Sequence, residues 1–424
     1  MKVGILTFHS QLNYGGVLQA CALRTVLDSL GYETVVLDRW LDPTNCLLER
    51  GYNRNRLSTV LKLVLKTLLC CRVVEPWMRS RRTKRFIRDF VKISPYHFVD
   101  WNQAPLDLGV DCIVVGSDQV WHSGDFNDPR PYLLRGAPAD VTAIAYAASF
   151  GMAEIPPFLG DGACSDRNAP AMPFYVDGFH RFAAISCRED EGVAICKGLG
   201  FSAVRVVDPV LLLSARQWES ILCKKRVPYS RTKKKRLFCY FLERISKKEI
   251  LALNAFAEAN DCEVDLIFDS PPPGWNRSLR TLLKSKGKYP DSLSSSASRN
   301  LHFRVSAGPR EFLTCISQAT WVVTDSFHAL MFSMVFGSNV RVLRPQSGMR
   351  VNMFSRIQEI ADHFSHSPIS DDLHSSLESL TKDEMTKVDA DWLSSEICRS
   401  LEFLKFQLGK VASTLSNEQG DRTK

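Results

Sequence analysis

At 424 residues, 45% of them apolar and 24% charged, the chain has material for two cores, and its composition excludes a disordered or collagen-like protein. Its thirteen scattered cysteines form no C-x-x-C pair, which excludes a zinc ribbon or a disulfide framework and points to a reducing compartment. The formal charge of +8 is gathered between Arg50 and Lys92 and between Lys224 and Arg236, yet no nucleic-acid motif accompanies it.

The opening apolar run ends at Phe8, shorter than a signal peptide's core, and no run of about twenty apolar residues offers a membrane span. Residues 2–8 read as a buried strand, followed by a polar turn that closes on Gly15-Gly16. A helix over 17–30 and a strand over 33–38 complete a βαβ unit, which predicts a parallel sheet. The glycine pair lets backbone approach a ligand closely, but it is no G-x-G-x-x-G fingerprint.

Residues 57–74 are apolar with Lys62 and Lys66 on one helical face. They suit a membrane interface, with the basic run 79–92 drawn to anionic lipid, or a helix packed on the domain with its cations in water. Strands follow at 111–117, 142–149, 183–187 and 203–207. The first runs into Gly116-Ser117-Asp118-Gln119, a small-residue turn with a carboxylate at a strand's C-terminal end, where open α/β sheets bind ligands. Arg188 ends the third; it suits a forked contact to phosphate or carboxylate, or a salt bridge to an acidic neighbour.

Residues 217–235, polar and basic, read as a linker. A second α/β pattern then opens: strand 237–242, helix 247–259, strand 263–268, a long Pro/Ser/Gly/Lys loop over 270–300, and helix 309–319. The strand 321–323 hands over through Thr324-Asp325-Ser326 to a helix over 329–336, with His328 in the first turn and either Asp325 or Ser326 as its cap. Such a helix start offers free N–H groups to an anion. The strand 340–343 follows, with Arg344, Arg350 and Arg356 beyond it; 392–408 reads as a closing helix and the last ten or so residues as a disordered tail.

Seven blocks in this order resemble the polysaccharide pyruvyl transferase family: Gly4 to His9, Asn13 to Ala20, Val115 to Trp121, Tyr146 to Gly151, Ser186 to Glu189, Asp208-Pro209 and Thr324 to His328. The resemblance spans about residues 1–360. It implies an α/β fold of two Rossmann-like domains facing each other across a cleft, the GT-B-like architecture. The expected division is 1–215, a basic linker 216–236, a second domain 237–385, and a closing helix and tail 386–424.

The implied activity is transfer of pyruvate from phosphoenolpyruvate to a sugar of a polysaccharide or its precursor, as a ketal, without metal or further cofactor. The family's functional arginine and histidine match Arg188 and His328, expected as catalytic. Asn13, Tyr14, Gly15, Ser117, Asp118, Gln119, Ser326, Arg344 and Arg350 are expected to bind substrate. The chain departs from its relatives at Ala329, where glycine is usual, and in an insert over 160–171. Expected partners are phosphoenolpyruvate and a sugar or oligosaccharide acceptor, free or lipid-linked. The expected location is cytoplasmic, with peripheral contact at the inner face of a membrane. The competing reading is a glycosyltransferase that uses a nucleotide sugar on the same fold.

Overall fold

A computed structural model describes residues 1–9, 13–39, 74–105, 107–123, 128–155, 157, 170–223, 234–269, 300–346, 351, 353–382 and 385–422. The expected helix over 57–74, most of the insert over 160–171, the loop over 270–300 and Arg350 lie outside them. The chain forms two compact units, one drawn from Met1–Gly51, Ile87–Leu213 and Ala390–Lys424, the other from Tyr52–Phe86 and Ser214–Asp389.

The first unit holds a seven-stranded parallel sheet: β1 (Lys2–Leu6), β2 (Glu33–Arg39), β3 (Ile93–Phe98), β4 (Cys112–Val115), β5 (Thr142–Ala148), β6 (Phe182–Cys187) and β7 (Val204–Arg205). Their spatial order is β3-β2-β1-β4-β5-β6-β7, with Leu6 beside Val115 where β1 meets β4. The chain builds outward from β1 to β3, then returns to β1's free side, so the direction of winding reverses between β1 and β4. Such a reversal opens a crevice at the strands' C-terminal ends. Every residue of β4 is buried, as expected of a strand covered on both faces, and this accounts for its unbroken apolar run.

The second unit repeats the plan with β8 (Arg236–Phe241), β9 (Glu263–Phe268), β10 (Leu301–Phe303), β11 (Trp321–Thr324), β12 (Asn339–Leu343) and β13 (Ile369–Ser370). The order β10-β9-β8-β11-β12-β13 is again parallel and reverses between β8 and β11, where Tyr240 lies beside Thr324. Both units thus have the Rossmann strand order.

Several elements differ from the sequence reading. The stretch read as a linker begins with the helix Ala215–Cys223, whose Trp218 is fully buried against Phe332 (ring centroids 5.0 Å apart). β3 escapes sequence reading because Pro95 interrupts it; an edge strand tolerates that proline, since its outer N–H groups need no partner. The closing helix runs over Ala390–Arg422, well into the expected tail. It is held by Leu404, Leu408 and Val411, all buried, by an ion pair of Glu396 with Arg205 (2.6 Å), and by Ser400 Oγ, which accepts from the Val207 amide (2.9 Å).

Candidate active site

At the first unit's switch point, β1 continues into Thr7-Phe8-His9 and β4 into Gly116-Ser117-Asp118. Gln19, fully buried in the helix Tyr14–Ser29, ties the two together. Its Nε2 donates to Thr7 Oγ1 (2.8 Å), the Phe8 carbonyl (3.0 Å) and the Gly16 carbonyl (2.9 Å), and its Oε1 accepts from the Ser117 amide (3.3 Å). Thr7 Oγ1 donates to the Ser117 carbonyl (2.7 Å). The helix opens with Asn13 as cap, its Oδ1 accepting from the Gly15 amide (2.9 Å). Asn13 is exposed, whereas Tyr14 and Gly15 are buried.

Two glycines here are geometric necessities. A Cβ on Gly116, at φ +116°, would lie 2.2 Å from the Tyr146 carbonyl oxygen. One on Gly151, at φ +64°, would meet Gln119 Nε2 at 2.1 Å. Asp118 is itself left-handed at φ +70°, an uncommon conformation for a non-glycine residue and one found at ligand sites. Its carboxylate lies against Gly16, at the helix start.

Arg188 sits at the end of β6, only 5% exposed, and its fork is directed at carboxylates of its own chain. Nη1 donates to Asp208 Oδ2 (3.0 Å), while Glu189 and Asp118 stand 3.6 and 3.7 Å away. Burial works against the guanidinium's charge, but Asp208, Glu189 and Asp118 outweigh it and hold its pKa above the ordinary value. Ser117 Oγ donates to the same Asp208 oxygen (3.1 Å), and Asp208 Oδ1 accepts from the Val210 amide (3.0 Å). The salt bridge that the sequence allows Arg188 is formed, with Asp208 nearest and Glu189 and Asp118 beyond it. The adjoining Cys187 is no candidate nucleophile, since its hydrogen bond with Cys196 and its burial both raise its pKa well above that of a free thiol.

In the second unit, β11 ends at Thr324, whose Oγ1 donates to the Tyr240 carbonyl (2.6 Å) and accepts from the Ser326 amide (3.1 Å). Asp325 does not cap the helix. Its carboxylate crosses the switch point and accepts from the Leu242 and Glu243 amides, both at 2.7 Å. Ser326 is the cap of the helix Phe327–Phe336, accepting from the Ala329 amide (3.5 Å). His328 lies in the first turn, 8% exposed, with its ring edge-on to Phe327 (5.5 Å). Arg356 stacks on the other ring of that pair, 4.9 Å from the Phe327 centroid. Arg344, just past β12, is about half exposed; it faces Asp371 at 3.4 Å and lies over Phe354.

The structure therefore groups Asn13, Gly15, Ser117, Asp118, Gln119 and Arg188 at one sheet edge, and Ser326 and His328 at the other unit's corresponding edge. Tyr14 is buried under its helix. Gln19, Asp208 and Asp325 are added to the expected set. The signal for Gln19 is a polar side chain inside an otherwise apolar helix face, where burial demands partners. Among the described residues, no group of three His, Cys, Asp or Glu side chains is placed to hold a metal ion.

A sequence model of the family described as polysaccharide pyruvyl transferase matches residues 13–347. No curated protein matches the chain. Among solved structures it is similar to UDP-N-acetylglucosamine 2-epimerase from Rickettsia bellii (8% identity, 97% of each chain covered, TM-score 0.48). It is also similar to UDP-GlcNAc 2-epimerase from Neisseria meningitidis (13%, 97% of this chain and 100% of that one, 0.47) and to Acinetobacter baumannii MurG (11%, 95% and 94%, 0.38). Likeness at this level says nothing about chemistry. The sequence match, which covers most of the chain, shows that it belongs to the polysaccharide pyruvyl transferase family and is an enzyme of that type.

Proposed function

We propose that the enzyme moves the pyruvyl group of phosphoenolpyruvate onto a sugar of a polysaccharide or its precursor and closes it as a ketal on two hydroxyls. The family match supports transfer to a polysaccharide. The observation that carries the donor assignment is the Ser326-capped helix start bearing a buried histidine at a topological switch point. The positive end of the helix there suits a dianionic phosphate.

The chemistry balances without an external cofactor. C3 of the enol takes a proton, a sugar hydroxyl oxygen bonds to C2 and gives up its own proton, and the C2–O bond to phosphate breaks. A second hydroxyl then bonds to C2 and releases its proton, so one inorganic phosphate leaves per ketal. His328 is assigned the proton delivered to C3, and positioned groups of this kind contribute about 10²–10⁴-fold. Arg344 is assigned the donor's carboxylate, with Arg350 as the second cation. Its present partner Asp371 is largely exposed and holds it weakly. The first unit's edge, with Asn13, Gly15, Ser117, Asp118 and Gln119, is assigned the acceptor. Arg188 is assigned to hold Asp118 and Asp208 in place, in preference to the direct donor contact expected from sequence.

The test is incubation with phosphoenolpyruvate and a panel of glycans, following phosphate release and a product heavier by one pyruvyl group. Thermal shift adds a binding readout, in which phosphoenolpyruvate should raise the melting temperature and UDP- or GDP-sugars should not. Glycosyl transfer from a nucleotide sugar, with no phosphate released from phosphoenolpyruvate, would replace this assignment.

A further inference from the structure

The helix Val74–Phe90 presents two opposed faces. Arg79, Thr83, Phe86, Ile87 and Phe90 are buried. Arg79 is fastened to Asp269 (2.6 Å), and its neighbour Arg82 donates to the Ser306 carbonyl (2.8 Å). The helix is therefore held from one side by ion pairing and apolar burial. On the other side Trp77, Arg81, Lys84 and Arg85 are exposed, spaced three and four residues apart, so they form one stripe. Trp77 is 48% exposed, and Arg81 lies over its ring at 5.5 Å. No acidic residue occurs between Trp77 and Arg88, and among the described residues no carboxylate pairs with Arg81, Lys84 or Arg85.

We infer that this stripe seats the enzyme on an anionic bilayer surface. Three cations with no carboxylate partner among the described residues, on a fastened helix, are complementary to a negatively charged plane. The exposed indole decides between a lipid surface and a soluble polyanion. An exposed tryptophan beside cations is costly in water but suits the headgroup layer, where its apolar body and polar N–H are both satisfied. Contact through one face of a helix lying on the surface is peripheral; no helix among the described residues is long and apolar enough to cross a membrane.

The test is co-sedimentation of the full chain with phosphatidylcholine vesicles with and without phosphatidylglycerol, at low and high salt, and with alginate as a soluble acidic glycan. Binding is expected only to the phosphatidylglycerol vesicles, and it should be weakened by salt. Each cation contributes about fivefold to partitioning, so the triple variant Arg81→Gln, Lys84→Gln, Arg85→Gln should lose roughly a hundredfold. Trp77→Ala should lose a smaller factor and keep the salt dependence. Wild-type protein left in the supernatant at low salt, or a triple variant that sediments like wild type, overturns the inference. Capture by alginate with indifference to vesicles overturns it in favour of a glycan surface. Sedimentation involves no turnover, so its result stands whether or not pyruvyl transfer is found.

Discussion

Replacing Arg188 tests whether its guanidinium serves the protein or the ligand. In Arg188→Met the volume is roughly kept and the charge is lost, leaving Asp208, Glu189 and Asp118 close together without a cation. Removing one partner of a buried ion pair typically costs about 3–5 kcal/mol, because the group left behind remains buried and charged. In a folded unit of this size each kcal/mol lowers the midpoint by about 2–4 °C, so a loss of roughly 10 °C is expected. Arg188→Lys, which reaches one carboxylate but not three, should fall between the two. The diagnostic variant is Arg188→Met combined with Asp208→Asn. Neutralising the nearest carboxylate should recover part of the loss, a coupling of about 1–3 kcal/mol measured by thermal melts of the four proteins. The reasoning fails if Arg188→Met melts within about 2 °C of wild type, under the cost of even one kcal/mol. If that variant also lost binding of phosphoenolpyruvate, the fork would belong to the donor, as the family resemblance implies.

His328→Gln should fold normally and lose about 10²–10⁴-fold in kcat with phosphoenolpyruvate binding retained, as read by turnover and thermal shift; full activity would falsify its role in proton transfer. Asp265 is buried between Arg236 (2.5 Å) and Arg304 (2.7 Å); burial favours its neutral form, but the two arginines prevail and hold its pKa below the carboxylate range. Its contribution is therefore complete above the unfolded value of about 3.9 and drains away as pH falls through the lower folded value. Urea titrations on either side of that range should show wild type losing stability steeply on acidification, and Asp265→Asn, already weaker at neutral pH, losing less. Gly116→Ala should cost at least about 3 kcal/mol, because its Cβ meets the Tyr146 carbonyl, whereas Gly31→Ala, at φ +89° with nothing within 4 Å, carries only the backbone strain of about 1–3 kcal/mol. Comparing the two melts separates collision from strain.

The central strands were readable because burial on both faces forces continuous apolar runs, as in Cys112-Ile113-Val114-Val115 and Trp321-Val322-Val323. The handovers at their ends were readable because turn and cap chemistry is local. Thr324-Asp325-Ser326 announces a helix start in any context. Local chemistry does not divide roles between neighbours, however: Ser326 and not Asp325 caps the helix, since Asp325 is drawn across to the amides after β8. Pairings between distant positions left no local trace of the partner's identity, even where a polar side chain on an apolar face, as at Gln19, signals that a partner is needed. Ser117 and Arg188 share Asp208, and Gln19 reaches Thr7 and Ser117, contacts created only when the sheet assembles. Weak edges were lost for the same reason, since β13 is two residues long and exists by pairing with β12.

The return of the helix Ala390–Arg422 to the first unit has a consequence for biogenesis. β7 and the turn after it receive Glu396 and Ser400 from that helix, and Tyr146 receives Phe403 (ring centroids 6.4 Å). A nascent chain halted at Leu213 has all seven strands of the first sheet but lacks the surface that covers Tyr146 and the Val207 amide. The unit begun first is thus completed last, after the whole second unit has left the ribosome. Until then the surface that Phe403 will cover at Tyr146 stays open, and exposed apolar surface of that kind favours aggregation.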